Sequence, residues 1–339
     1  MSIPGLDLTI PVIAAPMAGG ASTPAMAVAA ARAGSLGFVA AGYKTPDAVA
    51  DQINAVRGEG VTFGVNVFAP NPVPIDAVAF RAYADAIRPE AQRYAIALPD
   101  GDPVEDEDYF REKIDLLLAD PVPVVSFTFG IPDSTVIAAL RKAGSLVVLT
   151  VTSGDEAVLA TDAGADLLVV QASAAGGHSG TLTPQRIPRA IPITELLGQV
   201  RRHTDLPLLA AGGLSTPAAV AAAVAAGASA AVVGTVLLRT EESGASEPHK
   251  AALADPARER TVITRVFTGR PARGLENDFI TRYEAQAPDG YPAIHHLTSP
   301  IRKAAVAAGD CERVHLWAGT GYRDAKVESV ATTLGRLAG

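Results

Sequence analysis

The stretch VIAALRKAG, residues 136–144, runs directly into SLVVLTV, residues 145–151. The first part is Ala-rich and reads as a helix, and Gly144 stands where a helix C-terminus often needs a left-handed residue. The second part is short and apolar throughout, which is typical of a buried parallel strand. Together the two parts predict a helix that leads straight into a strand.

The same junction recurs along the chain. Its other copies are MAVAAARAG-SLGFVA from residue 26, VLATDAG-ADLLVV from residue 158 and VAAAVAAG-ASAAVVG from residue 220. Gly34, Gly164 and Gly227 take the place that Gly144 has in the first copy. Four copies of one junction indicate a chain that is built from βα units.

Counting the apolar runs predicts eight strands, at residues 10–16, 37–41, 62–68, 124–129, 146–151, 167–171, 208–211 and 231–235. Eight strands alternating with helices favour an α/β fold, a (β/α)8 TIM barrel with a smaller helical cap region after the eighth strand. The structural alternative is an open doubly wound sheet. No Gly-x-Gly-x-x-Gly opens the first βα turn to support that alternative.

The predicted strands divide the chain into three parts. Residues 1–240 form the barrel, with an insertion at about 69–123. Residues 241–320 form the helical cap region over the substrate site, and residues 321–339 contain a helix that packs back on the barrel. The insertion carries the acidic run PDGDPVEDEDYF, residues 99–110, which we interpret as a solvated surface loop.

Composition excludes several function classes. A chain of 339 residues with 48% hydrophobic content can bury a large core, and its net charge of −8 argues against nucleic acid or an anionic membrane as a partner. Cys311 is the only cysteine, which excludes an intrachain disulfide and a cysteine-rich metal site. The histidines lack metal-ligand spacing with any carboxylate, so we expect no metal. The first residues have no basic n-region, and we expect a cytoplasmic location.

The sharpest candidate site is QASAAGGHSGT, residues 171–181, which follows the sixth predicted strand. The amide of Gln171 could hydrogen-bond the edge of a heterocycle. Gly176 and Gly177 would let the backbone approach a ligand closely. His178 lies in a glycine-flanked loop, where it could act as a general base or orient an anion. The alternative is a histidine that merely bonds a neighbouring carbonyl.

Two glycine turns follow the seventh and eighth predicted strands. The first contains Gly212 and Gly213 in AAGGLST, residues 210–216. The second contains Val233, Gly234 and Thr235 in VVGT, residues 232–235. Glycines followed by Ser or Thr at a helix start present free backbone N–H groups, and in barrels these two loops are the usual phosphate site. The turns therefore predict a ligand with a terminal phosphate.

Two further sites are less specific. Pro16 and Met17 lie in AAPMAGG at the end of the first strand. They could place a backbone segment of small residues and a thioether against a flat ring. A tight turn with Met17 in the core is an equal alternative. Asn66 in FGVNVF is an amide within an apolar strand, so it needs a partner, either the backbone or a ligand.

The last third of the chain offers weaker candidates. TGRPARGLENDF, residues 268–279, carries two arginines that could line a pocket or fix the cap on the barrel. Tyr291, His295, His296 and Lys303 are further pocket candidates, although residues of these types more often lie at the surface or in packing contacts.

These motifs, taken in order, resemble the class I nitronate monooxygenases, formerly called 2-nitropropane dioxygenases. The order APM, GVNVF, Q-x-x-x-x-GGH-x-G, AAGG, VGT and GRPARG covers about residues 5 to 320. The GGH loop and GRPARG are the specific elements, because AAGG and VGT occur in many barrels that bind FMN. The resemblance predicts an enzyme with a bound cofactor.

The resemblance implies noncovalent FMN and oxidation of alkyl nitronates, such as propionate 3-nitronate, by O2 to a carbonyl compound and nitrite or nitrate. Carried over by motif, FMN would contact Asn66, Gln171, Gly176, Gly213, Gly234 and Thr235. His178 would be the active-site histidine, removing the α-proton of a neutral nitroalkane or positioning a nitronate anion. The resemblance also permits a homodimer.

One position departs from the family. Members often carry Ala-Gly-Gln near the C-terminus, whereas this chain reads WAGTGY at residues 317–322, with Thr320 in place of the glutamine. That substitution puts one flavin or substrate contact in doubt.

Other functions stay open at this point. The main alternative is an FMN-dependent NAD(P)H reductase acting on a quinone or an enoyl thioester. A flavin-free isomerase or aldolase could use the same phosphate loops, although no lysine at a strand end supports a Schiff base. A non-catalytic ligand-binding role is the third alternative.

Overall fold

The computed structural model describes residues 3, 5–99 and 101–339, and eight strands form its central sheet. The barrel strands, numbered one to eight here, are Val12–Ala14, Gly37–Ala40, Phe63–Phe68, Val124–Thr128, Leu146–Val151, Leu167–Gln171, Leu208–Ala211 and Ala230–Val233. Consecutive strands from two to eight pair in parallel, and strand one pairs in parallel with strand eight.

The barrel closes between strands one and two. Ala14 N donates to Leu36 O at 3.0 Å, and Ser35 Oγ donates to Val12 O at 2.5 Å. The predicted (β/α)8 TIM barrel is therefore confirmed, and each predicted strand is present within two residues of its predicted bounds. Strand eight is shorter than predicted: it ends at Val233, and Thr235–Leu237 form a 3-10 turn instead.

Helices cover the outside of the barrel. They are Pro24–Arg32, Pro46–Arg57, Phe110–Ala119, Ser134–Lys142, Gly154–Asp162, Ile193–Arg201 and Pro217–Ala225. Thr23, Thr45 and Thr216 cap three of them, each followed by proline in the first turn, where a missing N–H costs nothing. The junction glycines have φ values between 79° and 101°, as the sequence predicts.

The insertion before strand four contains helix Ala77–Arg93, which begins at the N-cap Asp76, and the start of helix Phe110–Ala119. Phe80, Tyr83 and Ile87 of the first helix pack into an apolar cluster with Phe267 and Leu297 from the region after strand eight. The insertion and the cap therefore form one layer over the mouth of the barrel.

The cap contains more than helices. Its helices are Glu247–Ala254, Asp278–Tyr283 and Ala293–Ala307, with 3-10 turns at Glu284–Gln286, Cys311–Arg313 and Tyr322–Asp324. Strands Thr261–Thr264 and Ala272–Leu275 pair antiparallel, and the second of them pairs with Gly177–His178 from the barrel loop. The expectation of a helical cap was thus incomplete, because these short runs satisfy their backbone by adding a small sheet to that loop.

The last helix, Val330–Ala338, buries Val330 and Leu334 against helices Pro24–Arg32 and Pro217–Ala225. Among the described residues, no helix is both long and apolar enough to span a membrane.

Candidate active site

A cavity of about 870 Å³ opens at the carboxyl ends of the barrel strands, and its roof comes from the cap. This volume lies within the range of cofactor and small-molecule sites. All the site residues that the sequence predicts line it: Pro16, Met17, Asn66, Gln171, Gly176, Gly177, His178, Gly212, Gly213, Val233, Gly234 and Thr235. Residues far apart in sequence meet here because parallel strands bring their carboxyl ends to one face of the barrel.

Free backbone donors face the cavity beside strands seven and eight. The N–H groups of Gly213, Gly234 and Thr235 donate to no protein acceptor within the part of the chain that the structure describes. Orphan donors at the start of a helical turn fit an anion such as a phosphate. A Cβ built on Gly234 would lie 3.4 Å from Met17 Sδ, so only a small residue keeps this cradle open.

The paired glycines have different reasons to be glycine. A Cβ on Gly176 would lie 2.5 Å from Gly319 N, and one on Gly212 would lie 2.8 Å from Ala172 O. These two glycines permit close packing between backbone segments, and both also line the cavity. Gly177 has a φ of +75° and lies on the cavity wall. A Cβ built on it would meet no other atom within 4 Å.

The turn after strand one is held by Ser22, whose Oγ accepts a bond from Met17 N at 2.8 Å. The side chain of Met17 stands in the cavity wall next to Gly234 of the cradle, with Pro16 beside it.

The two amides of the site are used differently. Asn66 Nδ2 donates to Ser126 Oγ at 2.9 Å and to Thr128 Oγ1 at 3.2 Å, which leaves Asn66 Oδ1 as an acceptor without a protein donor among the described residues. Gln171 instead holds the GGH loop: its Oε1 accepts from Gly180 N at 2.7 Å, and its Nε2 donates to His178 O at 3.3 Å. Asn66 can therefore bind a heterocycle N–H, whereas Gln171 mainly positions His178.

His178 is packed among aromatic rings. Its ring centroid lies 5.4 Å from that of Phe129, 5.4 Å from that of Trp317 and 5.9 Å from that of Tyr291. Its Nε2 lies 2.9 Å from Thr268 Oγ1. Burial, together with the positive charges of Arg270 and Arg302, lowers the pKa of His178 to about 3. The ring is therefore neutral at physiological pH, with a lone pair available.

Two buried guanidinium groups act on His178: Arg302 lines the cavity, whereas Arg270 lies outside its wall, against the Phe129 ring. Arg270 is fully buried and donates to Thr181 O at 2.5 Å, and it lies over the Phe129 ring at 4.2 Å. Arg302 donates to Thr298 Oγ1 at 3.1 Å and His295 O at 2.8 Å. Their acceptors among the described residues are carbonyl groups, a hydroxyl and an imidazole, not carboxylates. Burial lowers the pKa of each guanidinium group to about 10. An anionic ligand in the cavity would supply the missing negative charge beside Arg302.

The described part of the acidic run is largely exposed, as the sequence predicts, but it also reaches the cavity. Asp106, Asp108 and Tyr109 line the mouth of the cavity. Asp108 pairs with the buried Lys113 at 2.8 Å, and Asp106 pairs with His296 at 2.9 Å. Side chains from two other elements therefore hold this part of the loop in place.

The cap candidates Tyr291, His295, His296 and Lys303 all line the cavity. Thr320, which departs from the family, is exposed and lies outside the wall. Its backbone N donates to Ala174 O at 3.1 Å, so this position supports the GGH loop through its backbone. Among the described residues, no cluster of three or more His, Cys, Asp or Glu side chains could hold a metal ion.

Comparison with known proteins settles the family. The family model described as nitronate monooxygenase matches residues 4–338. The chain belongs to the nitronate monooxygenase family. A probable nitronate monooxygenase of Staphylococcus aureus (strain Newman) is 36% identical over 98% of this chain and 94% of that protein. The corresponding protein of Staphylococcus saprophyticus is 35% identical over 94% of this chain and 90% of its own length.

Solved structures agree with this membership. A nitroalkane oxidase from Streptomyces ansochromogenes superposes with a TM-score of 0.92 at 47% identity, covering 98% of this chain and 95% of that one. FabK from Thermotoga maritima superposes with a TM-score of 0.76 at 24% identity, over 98% of this chain and 93% of that one, and shows the shared fold alone. The chain is thus an enzyme of the nitronate monooxygenase family with a TIM-barrel fold.

Sequence reasoning missed four residues of the site: Tyr43, Thr268, Arg302 and Trp317. Arg302 had one available signal, because positions 295, 299, 302 and 306 recur on one face of helix Ala293–Ala307. The other three are ordinary in their local sequence.

Proposed function

We propose that this enzyme binds FMN and uses O2 to oxidise alkyl nitronates of the propionate 3-nitronate type to a carbonyl compound and nitrite or nitrate. His178 acts as the base for a neutral nitroalkane or orients the nitronate anion. The observation that supports this best is a single cavity that combines an anion cradle, a neutral histidine and the guanidinium group of Arg302, which has no carboxylate partner among the described residues.

FMN fits the residues of the cavity. Its phosphate would accept from the N–H groups of Gly213, Gly234 and Thr235, and Asn66 Oδ1 would accept from a ring N–H. Pro16 and Met17 would line the ring. When bound, FMN supplies the electron transfer to oxygen that no protein side chain supplies.

The charge of the cavity favours an anionic substrate. The chain as a whole carries −8, yet Arg302 lines the cavity without a carboxylate partner among the described residues, and the buried Arg270 adds positive charge from outside the wall. Of the acidic groups at the mouth, Asp108 is paired with Lys113 and Asp106 lies 2.9 Å from His296, while Glu107 is exposed. A nitronate would therefore be attracted by local charges, while the aromatic rings around His178 exclude water from it.

The test is anaerobic mixing of the purified protein, loaded with FMN, with propionate 3-nitronate. We expect the flavin absorbance to change, and we expect oxygen uptake with nitrite formation when air returns. Flavin bleached by NADH, with no response to the nitronate, would move the enzyme to the NAD(P)H reductase alternative. A protein that retains no flavin after FMN is added would exclude the proposal altogether.

A further inference from the structure

The contact between His178 Nε2 and Thr268 Oγ1 joins residues that are 90 positions apart and measures 2.9 Å. Thr268 is only 1% exposed, so water does not compete for its hydroxyl. A hydroxyl and a neutral imidazole nitrogen can each donate or accept. The direction of this one bond therefore decides which ring nitrogen of His178 carries the proton.

The second neighbour of the Thr268 hydroxyl indicates that direction. Thr268 Oγ1 lies 3.3 Å from Arg270 O, and no other donor reaches that carbonyl within residues 3, 5–99 and 101–339. Buried carbonyl groups are nearly always paired. Because the hydroxyl has one proton, donating it to Arg270 O leaves Thr268 Oγ1 as an acceptor, and His178 must then carry its proton on Nε2.

The orientation of the ring is fixed from several sides. His178 pairs with Ala272 in the small cap sheet, and its carbonyl accepts from Gln171 Nε2. The ring centroids of Phe129 and Trp317 each lie 5.4 Å from the ring centroid of His178. No carboxylate among the described residues bonds the imidazole, so nothing there favours a doubly protonated ring. The unprotonated nitrogen, Nδ1, has no protein partner in the same part of the chain.

We propose that Thr268 is a positioning residue that fixes His178 as the Nε2–H tautomer, so that the Nδ1 lone pair is presented to the substrate. This inference rests on the proposed function, since the role of His178 is assigned there. For a neutral nitroalkane, the α-C–H bond breaks and an Nδ1–H bond forms. The electron pair of the C–H bond becomes the C=N bond of the nitronate, and the nitro group takes the negative charge on oxygen.

The same tautomer predicts a difference between two substrates. A neutral nitroalkane needs the Nδ1 lone pair, whereas a nitronate that is already formed has no α-proton for His178 to remove. Loss of the Thr268 hydroxyl frees the ring to exchange tautomers. That exchange lowers turnover of the neutral substrate more than turnover of the anion.

The first test reads the tautomer directly. Holoenzyme labelled with [15N]histidine is measured by long-range 1H–15N correlation NMR at pH 7.5, and His178→Asn identifies the signals of His178. We expect a protonated-type Nε2 and an unprotonated-type Nδ1 in the wild type. An Nδ1–H pattern would overturn the proposal. This result does not depend on turnover, so failure of the tautomer and failure of the nitronate activity are distinguishable.

The second test uses three variants. Thr268→Val should lower kcat/KM for 1-nitropropane about tenfold or more and for its preformed nitronate less than about threefold, while Thr268→Ser should restore both. Ser145→Ala, which removes a buried hydroxyl bond to Val122 O (2.7 Å) at the other end of the barrel, is the matched control. Equal losses on both substrates, or a Thr268→Val spectrum identical to the wild type, would overturn the proposal.

Discussion

Lys113 Nζ lies 2.8 Å from Asp108 Oδ2, and this buried pair holds the acidic loop at the mouth of the cavity. Burial raises the pKa of Asp108 and lowers the pKa of Lys113, although the two charges attract each other. Asp108 Oδ1 also accepts from Tyr43 N at 3.0 Å. One carboxylate thus joins the loop to a helix of the insertion and to the loop after strand two.

Lys113→Met should destabilise the protein by about 3–5 kcal/mol, because it leaves a buried charge without its partner. Arg57→Met breaks the exposed pair with Asp120 and should cost less than about 1 kcal/mol. Adding Asp108→Asn to Lys113→Met should recover part of the loss. Urea unfolding measures the free energy of unfolding of all three variants. Similar small losses of stability for Lys113→Met and Arg57→Met would contradict this account.

Gly234→Asp should raise the Kd of FMN about tenfold or more, because its carboxylate would fill the cradle and repel a phosphate. Gly198→Asp adds the same charge at an exposed helical glycine with nothing within 4 Å, and its Kd should match the wild type. Flavin fluorescence during titration measures both. Unchanged FMN binding by Gly234→Asp would mean that the phosphate lies elsewhere.

His178→Asn should lower kcat/KM for a neutral nitroalkane by about 10²–10⁴, the usual contribution of a general base, and should lower it much less for the preformed nitronate. The exposed His203→Asn serves as the control and should retain both activities. Steady-state oxygen uptake with each substrate measures the difference. Equal and small losses would remove His178 from the mechanism.

Arg302→Met should raise the KM for propionate 3-nitronate about tenfold or more, because a charged hydrogen-bond donor to the anion is lost from the cavity wall. Arg302→Lys should give an intermediate value, since it keeps the charge but not the planar group. Arg202→Met, at an exposed position, removes the same charge and should leave KM unchanged. A KM unaffected by Arg302→Met would exclude contact with the substrate.

Acid should destabilise the protein through its buried neutral histidines. Burial lowers the pKa of His249 to about 4, so the unfolded chain, with a pKa near 6.5, binds more protons between these values. The stabilisation is complete above about pH 6.5, and it falls as the pH approaches 4, by up to about 3 kcal/mol. Urea unfolding at several pH values should therefore show a flatter slope for His249→Gln. The exposed His203→Gln should keep the wild-type slope.

The barrel could be predicted because its signals are local. A left-handed glycine and an apolar run specify each helix-to-strand junction within about fifteen residues, and Gly34, Gly144, Gly164 and Gly227 all have positive φ in the structure. The predicted site residues reach one cavity for the same reason, since each lies in a barrel strand or in the loop that follows it. The predicted end of strand eight was wrong because Gly234 leaves the extended conformation, with ψ of −64°.

The acidic loop shows what local signals leave out. Six acidic residues within 99–110 indicate solvent, and most of the described ones are exposed. The position of Asp106 and Asp108 at the cavity, however, depends on partners that the run itself does not contain. Lys113 follows on the next helix, and His296 comes from the cap. A run of charged residues indicates that burying them is unfavourable, but it does not show whether another element supplies a compensating charge.

The sequence by itself determined the eight strands, the face of the barrel that carries the site, and His178 as its central side chain. Only the tertiary structure decided what surrounds that side chain: the Thr268 hydroxyl, the unpaired Arg302 and the fixed acidic loop. The physical reason is the range of the interactions. Helices, strands and turns form from neighbours along the chain, whereas the proton position and the charge of a buried histidine depend on groups that the fold brings within a few ångströms.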